Sequence, residues 1–349
     1  MFARKPLIAA ILLGSLPGLA LAQAVTSQTG NDNEVILEQS GGPNLASQLQ
    51  QGDANFSRVA QDGNNNLADT TQTNFDNQVE VVQSGSANEA TVFQLSDYYY
   101  GHSASVVQLG AENIAEVIQT EGNGSQATLH QQGGGNVHRV EQLFYANQVD
   151  SRTFGTDNLI EITQNGAASA TTEQFGSDNR IIIDQNVYPY GGAVNVYQDG
   201  ASNEAAVTQA GGRYDTGEVE LRQVGSANSA QAVQWGGFSN LTFTQDGVGN
   251  ELTARQTTRS GTIRGSSIGN HNRVNISQGY DGPVLDIAQM GSANEIDVVQ
   301  NAAYSTASIS QTGDANIAVL NQVPAFELYS PAATIIQNGT GNSASIIQR

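Results

Sequence analysis

Cysteine is absent from the 349 residues, and lysine occurs once, at Lys5. Without cysteine there is neither a disulfide framework, the usual staple of small exported folds, nor thiolate chemistry. Aromatic residues make up only 6% of the chain, and 38 glycines leave few large side chains for an ordinary packed core. Nor is there a run of about 18 unbroken apolar residues, the length a membrane-spanning helix needs. The one apolar run, 7–13, is followed by Gly14, Ser15, Pro17 and Gly18. With Arg4 and Lys5 before it and Ala20-Leu21-Ala22 after it, it reads as an export signal with a small-x-small cleavage site. Residues 1–22 are therefore expected to be removed, leaving a mature chain that starts at Gln23. Positive charge is scarce as well: 13 basic residues stand against 33 acidic ones. Loss of Arg4 and Lys5 leaves 11 arginines and a net charge of −22 (11 − 33). Such a surface repels nucleic acid and anionic lipid, which makes both poor partners.

What the chain does have is a repeat. From Gln28 a glutamine returns at Gln39, Gln50, Gln61, Gln72, Gln83, Gln94, Gln108 and Gln119, and onward to Gln337 and Gln348. These marks bound 28 segments, of which 26 close on Gln; the exceptions close on Thr153 and Ser267. The fullest form is Q-x-G-x-x-N-x-A-x-V-x-Q, as in 83–94. Each segment reads as a turn followed by a strand of period two. The alternation tests this reading. At offsets 0, −2, −4 and −6 from each closing residue, 112 positions in 28 segments, there is no Asp, Glu, Lys or Arg. The strand charges, such as Glu34, Glu38, Arg58 and Glu80, all fall between them. Successive side chains in a strand face opposite ways, and an unpaired charge is too costly in a narrow interior. One face is therefore sealed and the other wet.

A longer period overlies the first. Counting the segment that ends at Gln39 as even, all 14 odd segments have eleven residues, with Gly third and Asn sixth. Gly41 and Asn44, Gly63 and Asn66, Gly85 and Asn88, Gly110 and Asn113, and finally Gly339 and Asn342 mark that row. Even segments keep the Asn in four cases and hold every length change, near 98–100, 122–124, 167, 188–191, 213–216 and 324–329. The unit is thus about 22 residues, strand-turn-strand-turn, repeated 14 times. The expected fold is all-β: a parallel two-sheet β-solenoid of 14 rungs over residues 28–349, preceded by a short segment, 23–27. One edge should be a uniform Gly/Asn row, with Gly at positive φ and Asn bonded locally. The other should carry the loops, with ten of the 11 tyrosines.

Inside, each large aliphatic contributes on the order of 1.5–3 kcal/mol, too little to offset ordering 22 residues at roughly 1–2 kcal/mol each. Rungs must stack to be stable. Stacked Gln and Asn amides in register are the side-chain arrangement of cross-β fibrils. The repeat begins five residues after the expected cleavage point and runs to Gln348, which leaves no room for the polar caps a soluble repeat protein needs. The expectation is polymerisation, with the Gln positions as the self-assembly ladder.

Fourteen in-phase G-x-x-N turns at about 22-residue spacing, twelve of them as Q-x-G-x-x-N and eight as the full Q-x-G-x-x-N-x-A, in a cysteine-free exported chain, resemble the curlins, subunits of bacterial curli fibres. The resemblance covers 28–348. It implies secretion through a dedicated outer-membrane pore, fibre growth at the cell surface beside other curlin-type subunits, and a role in biofilm matrix and adhesion. The array is longer than in familiar curlins, and the Gly/Asn signature is eroded in most even segments. The rival reading from another class is a monomeric β-solenoid adhesin or ligand-binding solenoid, but the outward threonines do not align in T-x-T columns.

No catalytic or metal constellation stands out, so neither an enzyme nor a cofactor is expected. His102 and His138 point inward on opposite sheets, at different strand positions, as replacements for Asn and Ala. The acids Glu34, Glu38, Asp53, Glu80, Glu161 and Glu173 are scattered over convex faces and turns, where acid–base work needs two carboxylates fixed about 5–10 Å apart in a cleft. Arg255, Arg259, Arg264 and Arg273 form the sole basic concentration and read as a surface stripe. The tyrosine-rich loops suit contact with surfaces or carbohydrate as well as they suit loop filling.

Overall fold

A computed structural model describes residues 11–13, 22–97, 100–122, 124–144, 146–187, 191–211, 217–323 and 330–349. Its elements are all strands, which alternate between two parallel sheets in a β-solenoid of about 14 turns of about 22 residues. The chain divides into two compact units, 1–166 and 167–349. In the first unit, sheet A runs from Glu34–Gly41 to Gln148–Thr156 and sheet B from Gln23–Thr29 to Leu159–Asn165. In the second, sheet A runs from Ala168–Ser177 to Ala332–Asn338 and sheet B from Arg180–Asn186 to Ser343–Gln348.

Within each unit, equivalent residues stack directly over one another. In sheet A, Val59 pairs with Val81, Val81 with Val106 and Val106 with Leu129. In sheet B, Val92 pairs with Val117 and Val117 with Val140. The alternating sequence is what permits this: Phe56–Asn64 begins with three repeats of half-exposed then buried, and Val59, Val81, Val117 and Val207 are all but inaccessible. Stacking also survives the inserted residues. Gln78 pairs with Ser103, 25 residues on, in the same register as 22-residue neighbours.

Two features differ from the simple strand-then-turn picture. The parallel ladder continues through the glycine: Asp62, Gly63 and Asn64 pair with Ser84, Gly85 and Ser86. The bend is thus confined to the two or three residues that follow. Residues 23–27, expected to precede the stack, belong to the strand Gln23–Thr29, which pairs with Leu45–Asp53 and adds a strand to sheet B. Of the expected leader, Ile11–Leu13 pairs through its backbone with Leu37, Glu38 and Gln39. The rest of that segment, except Ala22, lies outside the described residues, as do most of the inserted loops.

Candidate assembly ladders

The interior glutamines are placed by the last inward position of each strand. In sheet B of the first unit, each Gln Nε2 donates to the Oε1 of the next: Gln28 to Gln50, Gln72, Gln94, Gln119, Gln142 and Gln164, at 2.7–3.0 Å. Sheet A carries the same chain from Gln39 through Gln61, Gln83 and Gln108 to Gln131. In the second unit a ladder runs from Gln185 to Gln322 and Gln348, and its sheet A joins Gln311 to Gln337 at 2.7 Å.

The second amide proton does different work. Gln50 Nε2 also donates to the Glu34 carbonyl at 2.9 Å, Gln61 to Leu45 at 3.0 Å and Gln337 to Ile317 at 2.9 Å. Each of these carbonyls belongs to the facing sheet, 16 to 20 residues away. Gln50 and Gln61 thus each pin their own rung to the next and one sheet to the other, and Gln337, at the end of its sheet, joins the two sheets. A net 0.5–1.5 kcal/mol per bond is the usual yield, but an orphaned buried amide costs about 1–3 kcal/mol. The ladder is therefore more demanding to break than rewarding to build.

The Gly/Asn edge is equally specific. All 14 odd-segment glycines, Gly41 through Gly339, have φ between +91° and +139°, with Gly110 at +121°. A Cβ at Gly63 would overlap the carbonyl oxygen of Gly85, and one at Gly110 that of Gly133. Here the left-handed backbone and the axial spacing both demand glycine. The carbonyls so exposed are claimed by asparagine: Asn66 Nδ2 donates to Gly85 O at 3.2 Å and Asn88 Nδ2 to Gly110 O at 3.0 Å. Asn66 also donates its backbone N–H and Nδ2 to Asn44 Oδ1, and Asn88 and Asn113 repeat this one rung on. In the second unit Asn342 bonds Asn316 in the same way. The Asn ladder thus donates toward the N-terminus and the Gln ladder toward the C-terminus.

A second left-handed position was not foreseen. The fifth residue of every odd segment but the first has positive φ, whether Asn65, Ala87, Glu112, Asp157, Ser202 or His271. Pro43, whose ring fixes φ near −65°, departs from it, although its carbonyl still accepts from Asn65 N at 2.8 Å.

The two interruptions of the Gln pattern are explained by their neighbours. His138, fully buried in sheet B, faces Thr153 and Ser151 across the interior, with Nε2 2.6 Å from Thr153 Oγ1 and Nδ1 3.4 Å from Ser151 Oγ. The imidazole fills the space that a Gln and a branched aliphatic occupy elsewhere. Burial, with a lesser contribution from His130, lowers its pKa to about 3. At Ser267, which donates to Gln289 Oε1 at 2.8 Å, the neighbouring compensation is Phe243: its buried ring occupies the room left by Gly265. His102 takes an Asn position at the other edge, where its backbone N–H donates to Asn77 Oδ1 at 3.0 Å and burial lowers the pKa of its ring.

Outside, charges pair along the stack. Arg58 lies between Glu80, at 2.6 Å, and Glu38, at 3.2 Å, whose hydrogen bonds raise its pKa. Arg139 lies between Glu161 and Glu116, and Arg273 is 3.6 Å from Glu251. Asp53 accepts from Asn31 N at 2.7 Å. These pairs are exposed and individually worth little. Among the described residues, no group of three or more His, Asp or Glu could hold a metal.

Among curated proteins, none matches the sequence. The family model described as the curlin associated repeat matches residues 155–186. Together with the solenoid on which those residues lie, this match supports a curlin-family relationship.

Proposed function

We propose that the chain is a structural, non-catalytic subunit, secreted through an outer-membrane pore and stacked on further copies into an extracellular amyloid-type fibre. Such a fibre would serve cell adhesion and the biofilm matrix. The observation that carries this reading is the pair of amide ladders, in register from rung to rung and satisfied only by stacking, as in cross-β fibrils. The strand Ser343–Gln348 supports it. Ala344, Ile346 and Gln348 are half-exposed, although their partners Ala318, Leu320 and Gln322 are buried. That open interior face fits another rung. Incubation of the purified chain 23–349 tests the reading: fibres with a meridional reflection near 4.7–4.8 Å, seeded by preformed material, are expected. A persistently monodisperse monomer would overturn it and favour the adhesin reading.

A further inference from the structure

The turns of the second unit that lead from sheet B into sheet A carry exposed aromatic rings. Trp235 and Phe238, about half exposed, share one turn; Tyr280 and Tyr304, 62% and 65% exposed, lie in later ones. These turns are stacked directly, as bonds from Ser260 N to Gly237 O, Gly282 N to Arg259 O and Tyr304 N to Asp281 O demonstrate, at 2.7–2.8 Å. Phe238 and Tyr304 therefore lie in one column along the solenoid axis, with Ser260 and Gly282 between them, and Tyr280, which stacks on Thr258, stands beside that column two residues before Gly282. Phe238, Tyr280 and Tyr304 have φ of +58°, +66° and +54°, a left-handed backbone in which bulky residues are outliers. Such outliers are concentrated at functional sites.

The turn itself does not require them. On the opposite edge of this unit the left-handed fifth position holds Asp178, Ser202, Ala227, Gly249, His271 and Ala293. The core does not require them either, since the rings stand in solvent. Beside them, the Arg255 guanidinium lies 5.1 Å over the Trp235 ring, and Arg259 sits in the turn between Phe238 and Tyr280. This is the one basic concentration in a chain of net charge −20.

We propose that this ridge binds a linear pyranose polysaccharide laid along the solenoid axis, with its sugar faces on the rings and its hydroxyl or carboxylate rim on Arg255 and Arg259. A protein partner fits less well, because Gly236, Gly237, Gly279 and Gly282 separate the rings and leave no continuous apolar core of the kind such interfaces bury. A pyranose, with an apolar face and a polar rim, suits isolated rings that have polar neighbours. The axial rise also fits: Phe238 and Tyr280 are two rungs apart, about 9.6 Å along the axis at the strand spacing, with Tyr280 offset by two residues from the Phe238 column, a rise comparable with the two-sugar repeat of an extended β-1,4-linked chain.

Trp235 is the only tryptophan, so its emission reports on this ridge alone. Titration of the full mature chain with cellohexaose and with a hexagalacturonate should give a saturable change with at least one of them. Loss of binding with added salt would identify the acidic sugar, and indifference to salt the neutral one. The triple variant Phe238→Gly/Tyr280→Gly/Tyr304→Gly should keep or raise the thermal midpoint while weakening binding at least tenfold. The corresponding triple Asn variant should do the same, because Asn also tolerates the left-handed region. The proposal is overturned if neither sugar alters the emission nor retards the chain in gels containing the parent polymers. It is equally overturned if the variants bind as tightly as the parent, or if both unfold. None of these outcomes depends on fibre formation.

Discussion

His138 makes the fold acid-labile by a defined amount. In the folded chain it is neutral and wholly buried, with its pKa lowered to about 3 by desolvation; in the unfolded chain it titrates near 6.5. Below 6.5 the unfolded state binds a proton that the folded state refuses. Its contribution to stability is therefore complete above pH 6.5 and declines as the pH falls toward 3, by up to about 1.4 kcal/mol per unit. At pH 4.5 the loss should be ~2–3 kcal/mol relative to pH 7. The acidic residues titrate over part of the same range, so the measurement must be a difference between two chains. The matched chain is His138→Ala/Ser151→Val/Thr153→Gln, which restores the repeat at all three positions. Thr153→Gln alone should destabilise by about 1–3 kcal/mol, because it overpacks against the imidazole and removes the Thr153 hydroxyl. The triple change should recover that loss, with a coupling energy measurable in a mutant cycle. Urea unfolding at pH 7, 6, 5 and 4.5 gives both quantities. Equal pH dependence in parent and triple variant would refute the assignment of His138 as a buried neutral base.

Val207, buried between Ile183 and Ala232, should tolerate Asp at a cost of upward of about 4 kcal/mol, whereas Thr208→Asp, on the wet face, should be nearly silent by urea titration. Gly110→Val should abolish or severely slow assembly in seeded thioflavin assays, because both its φ of +121° and the Gly133 carbonyl exclude a β-branched side chain. Ser345→Pro/Ile347→Pro should leave the preceding rungs folded by circular dichroism yet block elongation. Outward residues donate toward the next rung, as Ile317 N does to Asn342 O, so the prolines remove donors from the open side; undiminished elongation would exclude growth through that face.

The sequence exposes whatever its composition must repeat. Strict exclusion of charge from alternate positions fixed the inward phase of residues such as Val59 and Val207. Glycine had to recur at Gly41 through Gly339, because no other residue can sit there. The fifth turn position left no such trace: Asn65, Glu112 and His271 all occupy it, since its side chain points away from the stack and only the backbone is constrained. The second proton of Gln50 was also hidden, because its acceptor, the Glu34 carbonyl, is a backbone group carried by every residue type. Thr153 and Ser267 stood out as exceptions, but their compensations, His138 and Phe243 with Gly265, lie 15 residues away across the interior in one case and a rung away in the other. Volume is exchanged through contacts that spacing alone does not reveal. Residues 23–27 escaped because they precede the first marked glutamine, Gln28, although Gln23 to Gln28 already alternates in phase.

The opposed ladders bear on how copies would join. Gln Nε2 groups donate toward the C-terminal rung, and Asn N–H and Nδ2 groups toward the N-terminal one. At the face formed by Ala332–Asn338 and Ser343–Gln348, a following rung would therefore receive donors from Gln337 and Gln348 and give donors to Asn342 Oδ1. A copy presented the same way round offers Oε1 acceptors at Gln28 and Gln39 and meets the glutamine half of that pattern, whereas the position that aligns with Asn342 is Ala22, which has no side-chain amide to give. A copy turned end for end sets Nε2 against Nε2 and Oδ1 against Oδ1, and leaves buried amides unpaired at about 1–3 kcal/mol each. Several such mismatches in one joint exceed what a single rung of aliphatic contacts returns. The same hydrogen bonds that hold the rungs together would thus give the proposed fibre a single polarity, without any surface patch devoted to it.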